Sequence, residues 1–173
     1  MKPRVGISRC LLGDEVRYDA THRYNTAVTV LGPHVEWIPV CPEVEMGMGV
    51  PREPIHLVAR ADGVRSGGER VRLAGVHSGE DWTERMDQWA RQRVAELTSL
   101  RISGFVLKAR SPSCGPDRVL VLQSDDGPTA TGRGLFAEAL AAAMPGLPME
   151  DEDGLADPAT RARFLQRVRE YQR

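Results

Sequence analysis

Three cysteines are the residues of this chain whose type and spacing best suit catalysis or metal binding. Cys10, Cys41 and Cys114 are 31 and 73 residues apart, and each lies in a loop segment rich in glycine, proline or polar residues. An odd number of cysteines argues against a disulfide framework and leaves buried thiols, a nucleophile or metal ligands. Three thiolates are one fewer than a closed structural zinc site or a usual [4Fe–4S] cluster binds. A metal centre held by them would keep one open coordination position, as catalytic metals require.

Each cysteine follows a segment typical of a buried strand. Runs of apolar residues predict strands at 4–8, 35–40 and 104–108, so Cys10 and Cys41 follow the first two, and Cys114 lies six residues beyond the third. In open α/β sheets the carboxyl ends of parallel strands form one edge, where ligands bind. We therefore predict that the fold brings the three sulfurs together.

The remaining elements alternate with these strands and indicate an α/β fold, a single Rossmann-like domain with a mostly parallel sheet flanked by helices. A small antiparallel excursion is predicted at 55–60 and 71–74, joined through Gly67 and Gly68. Glycines at 132 and 134 precede a helix, and helix capping is favoured there over an anion site. The other predicted elements are helices at 23–31, 80–99, 135–144 and 157–171, strands at 119–123 and 147–150, and a turn at 125–128.

Composition excludes several classes of protein. The 173 residues are 41% apolar and 27% charged, with a net charge of −1, which is typical of a globular protein and not of a generally basic nucleic-acid binder. Without 18 consecutive apolar residues, no membrane span is expected. The first residues have no signal-peptide core, so we expect a cytoplasmic location.

Three cysteine-bearing blocks, in this order, closely resemble the thiouracil desulfurase family. The resemblance extends to about residue 152 and leaves 153–173 as a terminal helix outside it. The matching segments are Cys10–Asp19, Cys41–Arg52, Leu107–Gly115, Gly132–Phe136 and Met149–Glu152.

The resemblance implies a [4Fe–4S] cluster held by Cys10, Cys41 and Cys114, whose fourth iron binds the sulfur of the substrate. It implies a non-redox desulfuration of a thiolated pyrimidine base such as 2-thiouracil, in which water replaces sulfur and sulfide is released. Matched by motif, Glu43 and Ser111 are the residues expected to be catalytic.

This chemistry is coherent with the residue types. Iron acts as a Lewis acid on the C–S bond, and Glu43 deprotonates the attacking water if burial raises its pKa toward neutrality. Ser111 is expected to orient that water or to bind the base. Asp19, Lys108 and Ser113 are further candidates for substrate binding or for tuning the cluster. The competing interpretation makes Asp19 a turn residue and Lys108 a solvated strand end.

The chain departs from the family pattern at two places. Ala20 follows Asp19 where the family commonly has glycine, and alanine adopts positive φ with difficulty, so a different turn is expected. Met46 replaces a glycine after the second cysteine, and its bulk is expected to reshape the pocket.

Two other functions compete with desulfuration. The first is a hydrolase that uses Cys10 or Cys114 as nucleophile and a histidine as base. The second is a non-catalytic module in which a cluster or zinc senses redox state or a ligand. We expect a small thiolated base as partner, with a large polyanion such as tRNA less favoured; the sequence sets no oligomeric state. Surface or packing roles are expected for His22, His34, His56 and His77.

Overall fold

The edge of a four-stranded parallel sheet positions the three cysteines. The structure, a computed structural model, describes residues 1–123 and 130–171. In this sheet the strand order is β2-β1-β5-β8, and all pairs are parallel. The strands are β1 Arg4–Ser8, β2 Glu36–Val40, β5 Gly104–Leu107 and β8 Met149–Asp151, and the helices are α1 Thr26–Thr29, α2 Pro42–Glu45, α3 Thr83–Ser99, α4 Leu135–Ala143 and α5 Pro158–Tyr171.

The predicted antiparallel excursion belongs to a second four-stranded sheet. Its hairpin turns through Gly67 and Gly68, which both have positive φ (58° and 107°), as a tight hairpin requires. The sheet becomes mixed because β6 pairs parallel with β3 and antiparallel with β7. Its strands are β3 Ile55–Ser66, β4 Glu69–Gly75, β6 Val119–Leu122 and β7 Ala130–Gly132, in the order β4-β3-β6-β7.

These findings confirm the α/β fold with a mostly parallel sheet, flanked by helices, and a smaller antiparallel part. The edge strand predicted at 147–150 is β8. The turn predicted at 125–128 lies outside the described residues. Within the described ranges, no helix has both the length and the apolarity to cross a bilayer.

Helix α3 covers the larger of the two apolar cores with the predicted stripe. Met86, Ala90, Val94 and Leu97 are buried along one face, at the spacing that an amphipathic helix gives. The ring of Trp89 packs on Phe136 of α4, with 5.1 Å between the ring centroids. The methionine and tryptophan stripe is therefore core packing.

Two predicted helices begin later than their periodicity indicates, because backbone pairing takes their first residues. The N–H groups of Arg23 and Asn25 donate to the carbonyls of Cys10 and Leu11, and α1 starts only at Thr26. Similarly, the N–H of Trp82 donates to Leu73 in β4, and α3 starts at Thr83.

The turn around Ala20 keeps a left-handed residue despite the loss of glycine. Ala20 has a φ of 56°, and its N–H donates to the Arg17 carbonyl at 3.0 Å. The expectation of a different turn was based on the reluctance of alanine to adopt this conformation. The structure instead keeps alanine in the left-handed region, at a cost of about 1–2 kcal/mol.

We predict that Ala20→Gly stabilises the protein by about 1 kcal/mol, because glycine adopts positive φ without strain. Chemical denaturation measures the free energy of unfolding. The matched control is Ala95→Gly on the exposed face of α3, which is expected to lower that free energy by about 1 kcal/mol. Equal destabilisation by both variants would contradict the left-handed turn.

Candidate active site

The three cysteines line one cavity of about 320 Å³ at the carboxyl edge of the parallel sheet. Cys10 lies in a short 3-10 helix after β1, Cys41 directly precedes α2, and Cys114 lies in the loop after β5. Because β1, β2 and β5 are adjacent and parallel, their carboxyl ends face the same side. The predicted convergence of the cysteines is therefore what the topology produces.

All three thiols are buried, and burial determines their protonation. It raises the pKa of Cys10 to about 11, with the nearby Arg17 charge working in the opposite direction. Burial also raises the pKa of the Cys41 thiol. It raises the pKa of the Cys114 thiol as well, while a hydrogen bond from Ser8 opposes the rise. Without a metal the thiols are therefore protonated at neutral pH, and metal binding releases their protons.

The donor set fits an iron–sulfur cluster better than a single ion. Among the described residues, no three His, Cys, Asp or Glu side chains are grouped as ligands of one metal ion. A cubane cluster bonds each cysteine through a different iron, so it requires ligands spread around a cavity. Three soft thiol donors around one space, with no fourth cysteine in the chain, match that requirement and leave one iron without a cysteine ligand.

The Cys114 loop, residues 108–115, is shaped by a serine and by the start of α4. Ser111 Oγ accepts hydrogen bonds from the N–H groups of Ser113 and Cys114 at 3.3 and 3.1 Å. The N–H groups of Leu135 and Phe136 donate to the carbonyls of Pro112 and Ser113 at 3.1 and 3.0 Å. These bonds use the unpaired amides of the helix N-terminus, which agrees with the predicted capping role of this segment.

Gly134 permits this docking because no side chain fits there. A Cβ at this position would lie 2.5 Å from the carbonyl carbon and oxygen of Ser113 and 2.8 Å from the Cys114 nitrogen. These are main-chain atoms, which do not move aside as a flexible side chain does. The N–H of Gly134 also donates to the Gly115 carbonyl at 2.8 Å.

Glu43 on α2 is held between an arginine and a serine. Its Oε2 accepts from Arg52 Nε at 2.8 Å and lies 2.7 Å from Arg52 Nη2. Its Oε1 accepts from Ser113 Oγ at 2.9 Å. The Glu43 and Arg52 side chains are only 14% and 5% exposed, so little water competes for these bonds. Both oxygens of the Glu43 carboxyl group are therefore held in one orientation at the cavity wall.

Ser113 connects Glu43 to Ser111. Ser113 Oγ has one proton, and its bond to Glu43 uses it. Ser111 Oγ, 3.0 Å away, then donates to Ser113 Oγ while accepting the two loop N–H groups. The hydroxyls of Ser111 and Ser113 therefore form a directional chain that ends at the Glu43 carboxylate. Of the predicted site residues, Glu43, Ser111, Ser113 and Lys108 line the cavity together with the cysteines.

Arg52 also lines the cavity, although no sequence pattern singled it out. Besides pairing with Glu43, it donates to the carbonyls of Gly49 and Val16 at 2.8 and 2.9 Å. Its own N–H donates to the Tyr18 carbonyl at 2.9 Å. The sequence signal that could have identified Arg52 is its position as the last residue of the second cysteine-bearing block, Cys41–Arg52.

Lys108 lines the cavity and is not a solvated strand end, since its side chain is only 14% exposed. Its role in substrate binding stays a prediction. Its Nζ forms an ion pair with Glu152 and donates to the Ala109 carbonyl at 3.0 Å. The other oxygen of Glu152 accepts from the Ala109 N–H at 2.7 Å. The pair thus joins the start of the Cys114 loop to the chain after β8, and the solvated interpretation of Lys108 is wrong.

Two expectations about the pocket differ from the geometry. Asp19 is not among the residues that line the cavity; its carboxylate caps a turn by accepting from the N–H and hydroxyl of Thr21 at 3.2 and 2.6 Å. A role for Asp19 in substrate binding stays a prediction that the geometry does not support. Met46 does not reshape the pocket, because its side chain packs in the main apolar core.

The geometry gives the cysteine-hydrolase alternative no support. A nucleophilic cysteine needs a lowered pKa, whereas burial raises that of each thiol here. That alternative also needs a histidine base, and none of the histidines lines the described cavity. The four are His22, His34, His56 and His77.

A family model and a solved structure that match this chain both concern thiouracil desulfuration. A family model described as 2-thiouracil desulfurase matches residues 5–152. The chain is 31% identical over 135 residues to the uncharacterized protein YbbK of Bacillus subtilis (strain 168), covering 78% of this chain and 87% of that protein. It is similar to the solved structure of the [4Fe-4S]-dependent thiouracil desulfidase TudS, with a TM-score of 0.70 and 27% identity, over 94% of this chain and 99% of that chain.

We predict that Gly134→Ala lowers the free energy of unfolding by about 1–3 kcal/mol, because the added Cβ overlaps rigid main chain. In metal-free protein it is also expected to speed the reaction of Cys114 with a thiol reagent. Gly32→Ala is the control, since its Cβ would meet nothing closer than Trp37 Nε1 at 3.6 Å. Unchanged stability together with unchanged protection of Cys114 in Gly134→Ala would contradict the packing.

Proposed function

Since this chain belongs to the 2-thiouracil desulfurase family, we propose that it removes sulfur from a thiolated pyrimidine base such as 2-thiouracil, with a [4Fe–4S] cluster as cofactor. The observation that carries the proposal is one cavity with two kinds of group on its wall. Three buried cysteines supply soft donors, and Glu43, Ser113 and Ser111 supply a hydrogen-bonded carboxylate and hydroxyls. A sensor module needs the first kind of group but not the second.

Cys10, Cys41 and Cys114 are the proposed ligands. When bound, the cluster supplies a Lewis-acidic iron without a cysteine ligand, which polarises the C–S bond and favours the departure of sulfide. In the proposed reaction one water replaces the sulfur, so a carbonyl and sulfide form with no net oxidation or reduction.

Glu43 is the proposed general base. Its side chain lines the cavity, and both of its carboxyl oxygens are held by hydrogen bonds, one to Arg52 and one to Ser113. A carboxylate held in this way is oriented to accept a proton from the attacking water.

Ser111 and Ser113 are proposed to orient water and base. Ser113 is buried and holds Glu43 Oε1, which fixes the direction of the carboxylate. Ser111 is half-buried at the other end of the hydroxyl chain and also lines the cavity. Arg52 acts as a positioning residue, because it reaches the reacting groups only through Glu43.

Protein reconstituted without oxygen is predicted to contain about four iron and four sulfide per chain, the stoichiometry of a cubane cluster, and to release sulfide from 2-thiouracil. Iron and sulfide analysis and a colorimetric sulfide assay measure these quantities. Cys10→Ser is expected to reduce both, since it removes one ligand. Zinc alone, or no metal, under these conditions would overturn the proposal.

Glu43→Gln is predicted to lower kcat for 2-thiouracil by about 10²–10⁴-fold, because an amide has the shape of the carboxylate but accepts no proton at neutral pH. Its iron content is expected to match that of the wild type. Glu36→Gln, an exposed change on β2, is the control and leaves kcat unchanged. Normal turnover by Glu43→Gln with an intact cluster would show that another group is the base.

A further inference from the structure

Tyr18 is the aromatic residue in the wall of the cavity. Among the described residues that line this space, no other is aromatic. The Tyr18 side chain is 37% exposed, and its phenol belongs to neither apolar core. A large, partly exposed aromatic ring on a ligand cavity is the group that stacks on planar heterocycles.

Arg17 lies against this ring and has an unused donor. Its guanidinium carbon is 5.4 Å from the centroid of the Tyr18 ring, within the range of a cation–π contact. Arg17 Nε is buried and has no hydrogen-bond partner among the described residues. The nearest carboxylate oxygen, on Asp19, is 3.9 Å away, which is too far for a hydrogen bond. A buried N–H of this kind requires an acceptor.

The backbone around the two residues is held in place. The Tyr18 carbonyl accepts from the Arg52 N–H at 2.9 Å, and the Arg17 N–H donates to the Thr21 carbonyl at 3.2 Å. Through Arg52, Tyr18 is connected to the segment that positions Glu43. The backbone that carries the Tyr18 ring is therefore held against the segment that positions the Glu43 carboxylate.

We propose that Tyr18 and Arg17 form the subsite that recognises the heteroaromatic ring of the substrate. The Tyr18 ring stacks on the base, and the Arg17 guanidinium, which also lines the cavity, donates to an oxygen or nitrogen acceptor on its edge. The proposal rests on the proposed function and assigns the recognition of the planar ring of that substrate to these two side chains. Stacking accounts for affinity whichever ring carbon bears the sulfur, because every base has an aromatic face.

Equilibrium binding of uracil to the anaerobic holoenzyme tests the subsite without turnover, since uracil has the ring but no sulfur. Tyr18→Leu is expected to raise the dissociation constant about 10-fold, and Tyr18→Phe to leave it within about twofold. Tyr24→Leu is the control, because Tyr24 is exposed on the same segment but does not line the cavity. Unchanged binding by Tyr18→Leu, or equal losses in all three variants, would overturn the proposal.

Kinetics with 2-thiouracil give a second readout. Tyr18→Leu is expected to raise KM by a factor similar to the loss of uracil affinity while kcat and iron content stay close to wild type. A fall in kcat with unchanged KM would overturn the stacking role. If the wild type binds uracil through Tyr18 yet releases no sulfide, the proposed function fails and the ring-binding role of Tyr18 stands.

Arg17→Lys tests the second half of the subsite, because it keeps the positive charge and removes the planar guanidinium with its fork of N–H donors. It is expected to weaken uracil binding about 10-fold. Iron content, measured on the same sample, shows that the Cys10 region is intact. Unchanged uracil binding would remove Arg17 from the subsite.

Discussion

The buried ion pair between Arg52 and Glu43 connects all three cysteine-bearing segments. Arg52 reaches the first segment through the carbonyl of Val16 and belongs, like Glu43, to the second. Glu43 reaches the third through Ser113. A buried pair of this kind is tolerated because its remaining donors and acceptor are also satisfied. Removing either member leaves a buried charge without its partner and, with it, three segments without their common contact.

Local sequence signals predict where the cysteines lie, but they do not predict the long-range strand pairing around them. Strands β1, β2 and β5 are short apolar runs whose ends are visible in the chain, so the edge of the sheet that holds the cysteines was predictable. Of the second sheet only the β3–β4 hairpin was predictable, because the pairing of β3 with β6 joins residues far apart in sequence. No local pattern encodes such a pairing. The start of α1 was unpredictable for the same reason, because Arg23 and Asn25, just before it, bond to the Cys10 and Leu11 carbonyls instead of extending the helix.

Side-chain roles were predictable only where a motif marked them. Glu43 and Ser111 came from the resemblance, and the structure places both on the cavity wall. The residue type of Lys108 indicated either a substrate contact or a solvated strand end. The structure pairs it with Glu152, a buried residue that follows β8, so it is not solvated. Likewise, Met46 is large, but its direction toward the core is a property of the fold. Type and position suggest which atoms can react, and tertiary contacts decide which do.

The hydrogen bond between Gly134 and Gly115 has a consequence for how the family can vary. This bond joins the two ends of segment 116–133, which contains β6 and β7. The two parts of the chain that shape the Cys114 loop are therefore in contact on either side of that segment. Insertions or deletions between β6 and β7 therefore change the second sheet without moving Cys114. By contrast, a one-residue change of spacing between Cys114 and Gly115, or between Gly134 and Leu135, misaligns the helix amides and the loop carbonyls. We therefore expect length variation among homologues inside segment 116–133 and not at its two ends.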